Sequence, residues 1–148
     1  MIVVGSDHGG LDLKTTLSRY LAEREILVLD AGTDNDASVD YPEFGLKVAE
    51  MVASGASECG ILVCGTGIGM SIAANKVPGI RAALVTDVFM ARMAKEHNNA
   101  NVLVLGGRVL DDQTACEIVG TWLDATFEGG RHQGRLDKIT QIENKYSK

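Results

Sequence analysis

The sequence predicts an α/β fold, a three-layer α/β/α sandwich built on a five-stranded parallel sheet. Three observations predict it. Short runs of consecutive apolar residues recur five times, the mark of strands buried on both faces. Longer stretches with apolar residues at helical spacing separate them, the alternation that a parallel sheet covered by helices requires. Hydrophobic residues make up 45% of the 148, aromatics only 5%, and there are 17 glycines. That balance suits close helix–sheet packing better than an aromatic-lined groove.

The elements follow in order. "IVVG" (2–5) reads as a buried strand, and Leu11 to Glu25 as a helix with apolar residues at 11, 13, 17, 20 and 21. "ILVLD" (26–30) is the second strand. "DYPEFGLKVAEMVASG" is a helix, with Pro42 near its start and Gly55 at its end. "CGILVCG" (59–65) is the third strand, followed by a helix to about Asn75. "RAALVT" (81–86) is the fourth, with Val88 to His97 helical after it. "NVLVLGG" (101–107) is the fifth, with Asp111 to Phe127 helical. "EGG" breaks the chain before a helical tail from Arg131 to Lys148. The length is that of one domain, and no repeat, linker or low-complexity segment divides it. The sheet is Rossmann-like, so ligands are expected at the carboxyl ends of the strands.

Composition excludes several classes of function. The net charge is −6 and no basic stripe exists, which argues against nucleic acid. An anionic ligand must then be held by local cations. Cys59, Cys64 and Cys116 are odd in number and show no metal spacing, so reduced thiols in a cytoplasmic protein are expected. The opening "MIVVGSD" has no basic n-region or long apolar h-region of a leader. The run Cys59 to Asn75 is uncharged but broken by glycines, which argues against a membrane span.

Two loops at the carboxyl edge carry unusual chemistry, "GSDHGG" after the first strand and "CGTGIGM" after the third. A dinucleotide fingerprint would need a glycine where Asp7 stands in the first, and where Met70 stands in the second. A P-loop would need a lysine after Gly69, and none follows. Asp7, His8, His97 and His132 are metal-ligand types, but none forms an H-x-x-x-H pair, so no metal is expected. The remaining reading is an anion hole. Amide N–H groups before a helix stabilise charge that appears during reaction, and the same amides favour a thiolate at Cys64. Such a thiolate could take a proton from the carbon next to a carbonyl. The competing reading of Cys64 is a small core hydrophobe.

Arg131 and Arg135 are one helical turn apart and share a face, as a phosphate clamp or as a solvated surface. Arg108, just past the fifth strand, adds a third cation. His97 ends a helix, either as a C-terminal capping cation or as a general acid–base group.

The segments "GSDHGG", "TDNDASVDYPEF", "VCGTGIGMSIAANK", "GIRAAL", "KEHNNANVLVLGGR" and "EGGRHQGR" together resemble the type B ribose-5-phosphate isomerase family, which includes galactose- and allose-6-phosphate isomerases. The resemblance covers essentially the whole chain. It implies strand order 2-1-3-5-4 and a metal-independent, cofactor-free aldose–ketose isomerase working through a cis-enediolate. By it, Cys64 matches the proton-abstracting thiol, and Thr66 and His97 the groups that assist ring opening and proton donation. Gly65, Gly67, Ile68 and Gly69 match the loop that holds the enediolate. Asp7, His8 and Asn98 match ligand contacts, and Arg108, Arg131 and Arg135 the phosphate-binding arginines. Asp40 and Tyr41 lie in a segment near the sugar. One branch of the family carries a Glu directly after the loop. Met70 stands there and takes no proton, which leaves Cys64 as the base. Ile68 stands where many relatives carry Asn.

Topology adds one expectation. A helix after a parallel strand runs back to the amino edge of the sheet, and Val88 to His97 is about 15 Å long at 1.5 Å per residue. His97 and Cys64 therefore belong to opposite edges of one chain. If both act on one sugar, a second subunit supplies His97, so a homodimer with composite sites is expected. The sequence leaves open a pairing of dimers into tetramers and a hexose phosphate in place of the pentose. It also leaves open a sugar-phosphate- or nucleotide-binding module without catalysis.

Overall fold

Each of the five apolar runs forms a strand. The computed structural model describes residues 1–147, with strands β1 Ile2–Ser6, β2 Val28–Asp30, β3 Cys59–Cys64, β4 Ala82–Leu84 and β5 Val102–Gly106. All pairings are parallel, in the order β2-β1-β3-β5-β4. The helices are α1 Leu11–Glu23, α2 Tyr41–Ala53, α3 Ile68–Ala74, α4 Val88–Glu96, α5 Asp112–Asp124 and α6 Arg131–Tyr146.

Strand alternation divides the core into two layers. Ile61 and Val63 of β3 join Val4, Leu103 and Leu105 against Leu13, Leu17 and Leu21 of α1, Ala91 of α4, and Ile118 and Trp122 of α5. Leu62 and Cys64 face the other way, with Val3, Val102 and Val104, against Val48 and Val52 of α2 and Met70 and Ala74 of α3. Met70 is fully buried, its sulfur packed near Gly45 of α2, so the residue after the glycine loop belongs to the core. Between the neighbours β1 and β3 the chain reverses direction: β1 leads outward to β2, and β3 leads to β4 on the other side. The loops after β1 and β3 diverge there and leave the crevice in which open α/β sheets bind ligands.

Several boundaries differ from the sequence reading. β2 starts at Val28, not Ile26, because the Ile26 N–H closes the end of α1 on the Leu21 carbonyl, 3.0 Å away, after Glu25 turns at φ 61°. β4 is confined to 82–84, and Arg81 is held instead by the Asn101 side chain at 2.8 Å. α5 stops at Asp124, since Ala125 is extended, so 125–127 is not helical. The expected tail helix is present to Tyr146; Lys148 lies outside the described residues.

Lys14 is an unexpected core member. Its side chain is 2% exposed, although it sits on the apolar face of α1. Its ammonium donates to Asp30 Oδ1 at 2.6 Å and to the Thr33 carbonyl. Asp30 also accepts the Gly32 N–H at 2.8 Å. Lys14 thereby ties the end of β2 to the segment 31–40, which leads to the site. Lys14→Met leaves the Thr33 carbonyl without its donor, at a cost of about 1–3 kcal/mol. A fall in urea midpoint together with a raised KM is expected; an unchanged KM would separate Lys14 from the site.

Candidate active site

Asp7, directly after β1, accepts the Gly10 N–H at 3.0 Å and caps a short 3₁₀ turn, His8–Gly10. His8 Nδ1 accepts the Val39 N–H at 3.1 Å. A neutral imidazole accepting at Nδ1 carries its proton on Nε2, so His8 can present a donor to a ligand. The segment 31–40 thus sets the tautomer of a histidine on a different loop.

The loop after β3 is built around the thiol. Cys64 is 5% exposed, and its Sγ accepts the Gly67 N–H at 3.2 Å. Thr66 Oγ1 accepts the Ile68 N–H at 3.3 Å. Gly67 caps α3 at φ +84°, a left-handed backbone that a side chain resists; an added Cβ there would meet Leu84 and the Leu105 backbone. Gly69 leaves room for the Tyr41 ring, which an added Cβ would meet at 2.5 Å. That contact carries the start of α2 onto the loop. Ile68 stands at the loop tip with 53% of its surface exposed.

Arg108 closes the site from the third side. Its N–H donates to the Gly65 carbonyl at 2.9 Å, and the Gly107 N–H donates to the Cys64 carbonyl at 2.8 Å. The guanidinium lies over both glycine loops: an added Cβ on Gly65 would stand 3.2 Å from Nη1, and one on Gly9 3.3 Å from Nη2. A guanidinium over amide N–H groups, beside a thiol, is arranged to receive an anion. Arg108→Ala is expected to raise KM for a phosphorylated ligand about 10–100-fold, the worth of a hydrogen bond to a charged group. An unchanged KM would take the phosphate elsewhere.

Within the chain, Asp7, His8, Tyr41, Cys64, Thr66, the glycine loop and Arg108 come together. His97, Asn98, Arg131 and Arg135 do not join them. Cys64 pairs with Gly106 at the carboxyl end of β5, whereas His97 precedes the first residue of β5. The four residue-to-residue steps from Val102 to Gly106 separate the two edges by about 13 Å at 3.3 Å per residue. His97 caps the end of α4, with Nε2 3.2 Å from Glu128 Oε1 and its ring stacked on His132 at 4.1 Å. Asn98 follows and lines an open, mostly apolar groove along β4 with Met93 and Leu136. Arg131 and Arg135 are exposed on the first turns of α6, and among the described residues neither forms an ion pair. Asp40 precedes α2 without capping it through its side chain.

Burial pushes the Cys59 and Cys116 thiols up, which disfavours their thiolates. Neither lies in either group. Sequence reasoning missed Glu128 and Lys14. Glu128 was visible only as part of "EGGRHQGR", and its pairing with His97 is tertiary.

The model of the Ribose/Galactose Isomerase family matches residues 2–139. Ribose-5-phosphate isomerase B of Escherichia coli (strain K12) is 46% identical over 144 residues, 97% of each chain. The structure of Clostridium thermocellum ribose-5-phosphate isomerase B superposes with a TM-score of 0.98 at 58% identity, covering 99% of both chains. That of Mycoplasma genitalium ribose-5-phosphate isomerase B with bound ribulose-5-phosphate gives 0.93 at 46% identity, covering 97% of this chain and 95% of that one. The strand order, the thiol before its glycine loop and the full-length matches converge: this chain belongs to the ribose/galactose isomerase family.

Proposed function

We propose that this protein interconverts ribose 5-phosphate and ribulose 5-phosphate. The observation that carries the reading is the Cys64 thiol at the end of β3, accepting the Gly67 N–H and flanked by the Arg108 guanidinium. Cys64 as thiolate removes the C2 proton of the open aldose. Negative charge moves to the oxygens of the resulting cis-enediolate, where the amides of Gly65 to Gly69 meet it. The proton returns at C1 while the C2 oxygen becomes the carbonyl. Thr66 and His97 assist ring opening and proton donation. His8, Asp7, Tyr41, Ile68 and Asn98 contact the sugar, and Arg108, Arg131 and Arg135 hold the phosphate. A thiol base and a set of amides perform proton removal and charge stabilisation themselves, so the step is written without a metal or cofactor.

The same reading makes the functional unit a cytoplasmic homodimer of single-domain chains, with His97 and Asn98 of one subunit completing the Cys64 site of the other. Exposed apolar side chains support it: Ile72 on α3, Phe89 on α4 and Ile142 on α6 are each more than half exposed. The family description names galactose beside ribose, which favours hexose 6-phosphates as the second substrate class. The test is turnover of ribose 5-phosphate by the purified, chelator-treated protein, with allose and galactose 6-phosphates beside it. Rapid pentose turnover is expected. Preference for a hexose phosphate would reassign the substrate, and binding without turnover would leave a sugar-phosphate-binding module.

A further inference from the structure

We infer that His97, Glu128 and His132 form a binding site for a divalent transition cation of the zinc class, and that filling it inhibits isomerisation by taking His97 out of the reaction. The binding stands on the geometry alone. The inhibition rests on the isomerase reading above.

Three segments deliver the donors: the end of α4, the loop 125–130 and the first turn of α6. One ligand atom from each lies within 4.8 Å of the others. Glu128 Oε1 is 3.2 Å from His97 Nε2 and 4.0 Å from His132 Nε2. Around a tetrahedral zinc, with bonds of about 2.0–2.2 Å, neighbouring donors stand about 3.3–3.5 Å apart. The first distance already fits, and the second closes by about half an ångström. The rings stack at 4.1 Å and 15°, so their Nε2 atoms run side by side past the same carboxylate oxygen. Parallel lone pairs do not meet, so binding requires one ring to leave the stack by a side-chain rotation that aims its Nε2 at the point the other faces. His97 and Glu128 are 40% and 52% exposed, which leaves room for that rotation and a path for the ion.

The supporting structure is present. The Glu128 N–H donates to the Glu96 carbonyl at 3.0 Å, fixing the loop against the end of α4. The His132 N–H donates to the Gly129 carbonyl at 3.0 Å, fixing the start of α6 against the same loop. Two imidazoles and one carboxylate leave a fourth position open to water or to an oxygen of a ligand. Two nitrogen donors select zinc, cobalt, nickel or copper over magnesium and calcium. A metal held by His97 Nε2 removes that nitrogen from proton transfer, so occupancy and turnover exclude each other.

The experiment is calorimetric titration of the chelator-stripped full chain with zinc, repeated for Glu128→Gln, His132→Gln and Cys64→Ala, with circular dichroism confirming each fold. One zinc per chain is expected. Glu128→Gln and His132→Gln should each weaken it by at least the roughly 10–100-fold that loss of a supporting partner costs a metal site. Cys64→Ala should leave the affinity unchanged. Cobalt should give visible ligand-field bands without a thiolate charge-transfer band. Zinc, but not magnesium, should then inhibit isomerisation with a midpoint equal to its calorimetric Kd, and chelator should restore turnover. Unchanged affinity in both cluster variants, or loss of binding in Cys64→Ala, would overturn the site. Zinc bound to the cluster without inhibition would overturn the second half. Absence of turnover in the metal-free wild type would instead sink the isomerase reading, and the inhibition with it, while calorimetry still decides the site.

Discussion

Cys64→Ala is expected to lower kcat by about 10³-fold, within the range a positioned general base contributes, while sugar phosphate still binds. The two effects separate because of where the groups stand. Arg108 and the loop amides, which hold the anion, are backbone or side-chain groups that the substitution leaves in place. The thiol is 5% exposed and small, so its loss opens little space, and Gly67 keeps α3 capped through its own backbone. Isotope-labelled ribose 5-phosphate in equilibrium dialysis measures the binding, and coupled turnover measures the rate. In the wild type, the acidic limb of kcat/KM reports deprotonation of the free enzyme's base. An active Cys64→Ser variant with the same acidic limb would remove the thiol from the mechanism. Loss of binding in step with turnover would make Cys64 a structural residue.

Mixing two inactive variants, Cys64→Ala and His97→Gln, is expected to restore about a quarter of wild-type activity after subunit exchange. The arithmetic follows from two-fold symmetry. Half the dimers are hybrids, and each hybrid has one site with both native groups and one with neither. The expectation comes from β5: His97 precedes its first residue and Cys64 pairs with its last. No rotamer of His97 crosses a strand length of about 13 Å. Activity that stays at the level of the inactive parents would place both groups in one subunit and require α4 to move.

The parts legible in the sequence are those decided locally. The central apolar runs become strands here because helices cover both faces of the sheet at β1, β3 and β5, which are buried almost throughout, while the edge strands β2 and β4 are only partly covered. Ile26 and Leu27 look the same in sequence as Val28 and Leu29, yet the Ile26 N–H is committed to the end of α1. Which of two apolar neighbours starts a strand is set by the hydrogen bond that closes the preceding helix, not by residue type. The glycine loop and its thiol were legible because their chemistry depends on adjacent residues. The separation of His97 from Cys64 was legible too, since a helix after a parallel strand must run back. Lys14 was not: a lysine on an apolar helical face ordinarily reaches out to water, and its burial depends on Asp30 at the end of the next strand and Thr33 just past it. Glu128 was hidden for the same reason, its partners being set by how α4 and α6 approach.

The most direct measurement is isomerisation of ribose 5-phosphate in D₂O, followed by NMR, with wild type and Cys64→Ala side by side. Proton transfer through an enediolate on a thiol base predicts deuterium entering the product at C1 with the wild type and no incorporation above background with Cys64→Ala. Conversion with the C2 hydrogen fully retained in the product, or deuterium entry undiminished in Cys64→Ala, would contradict the account.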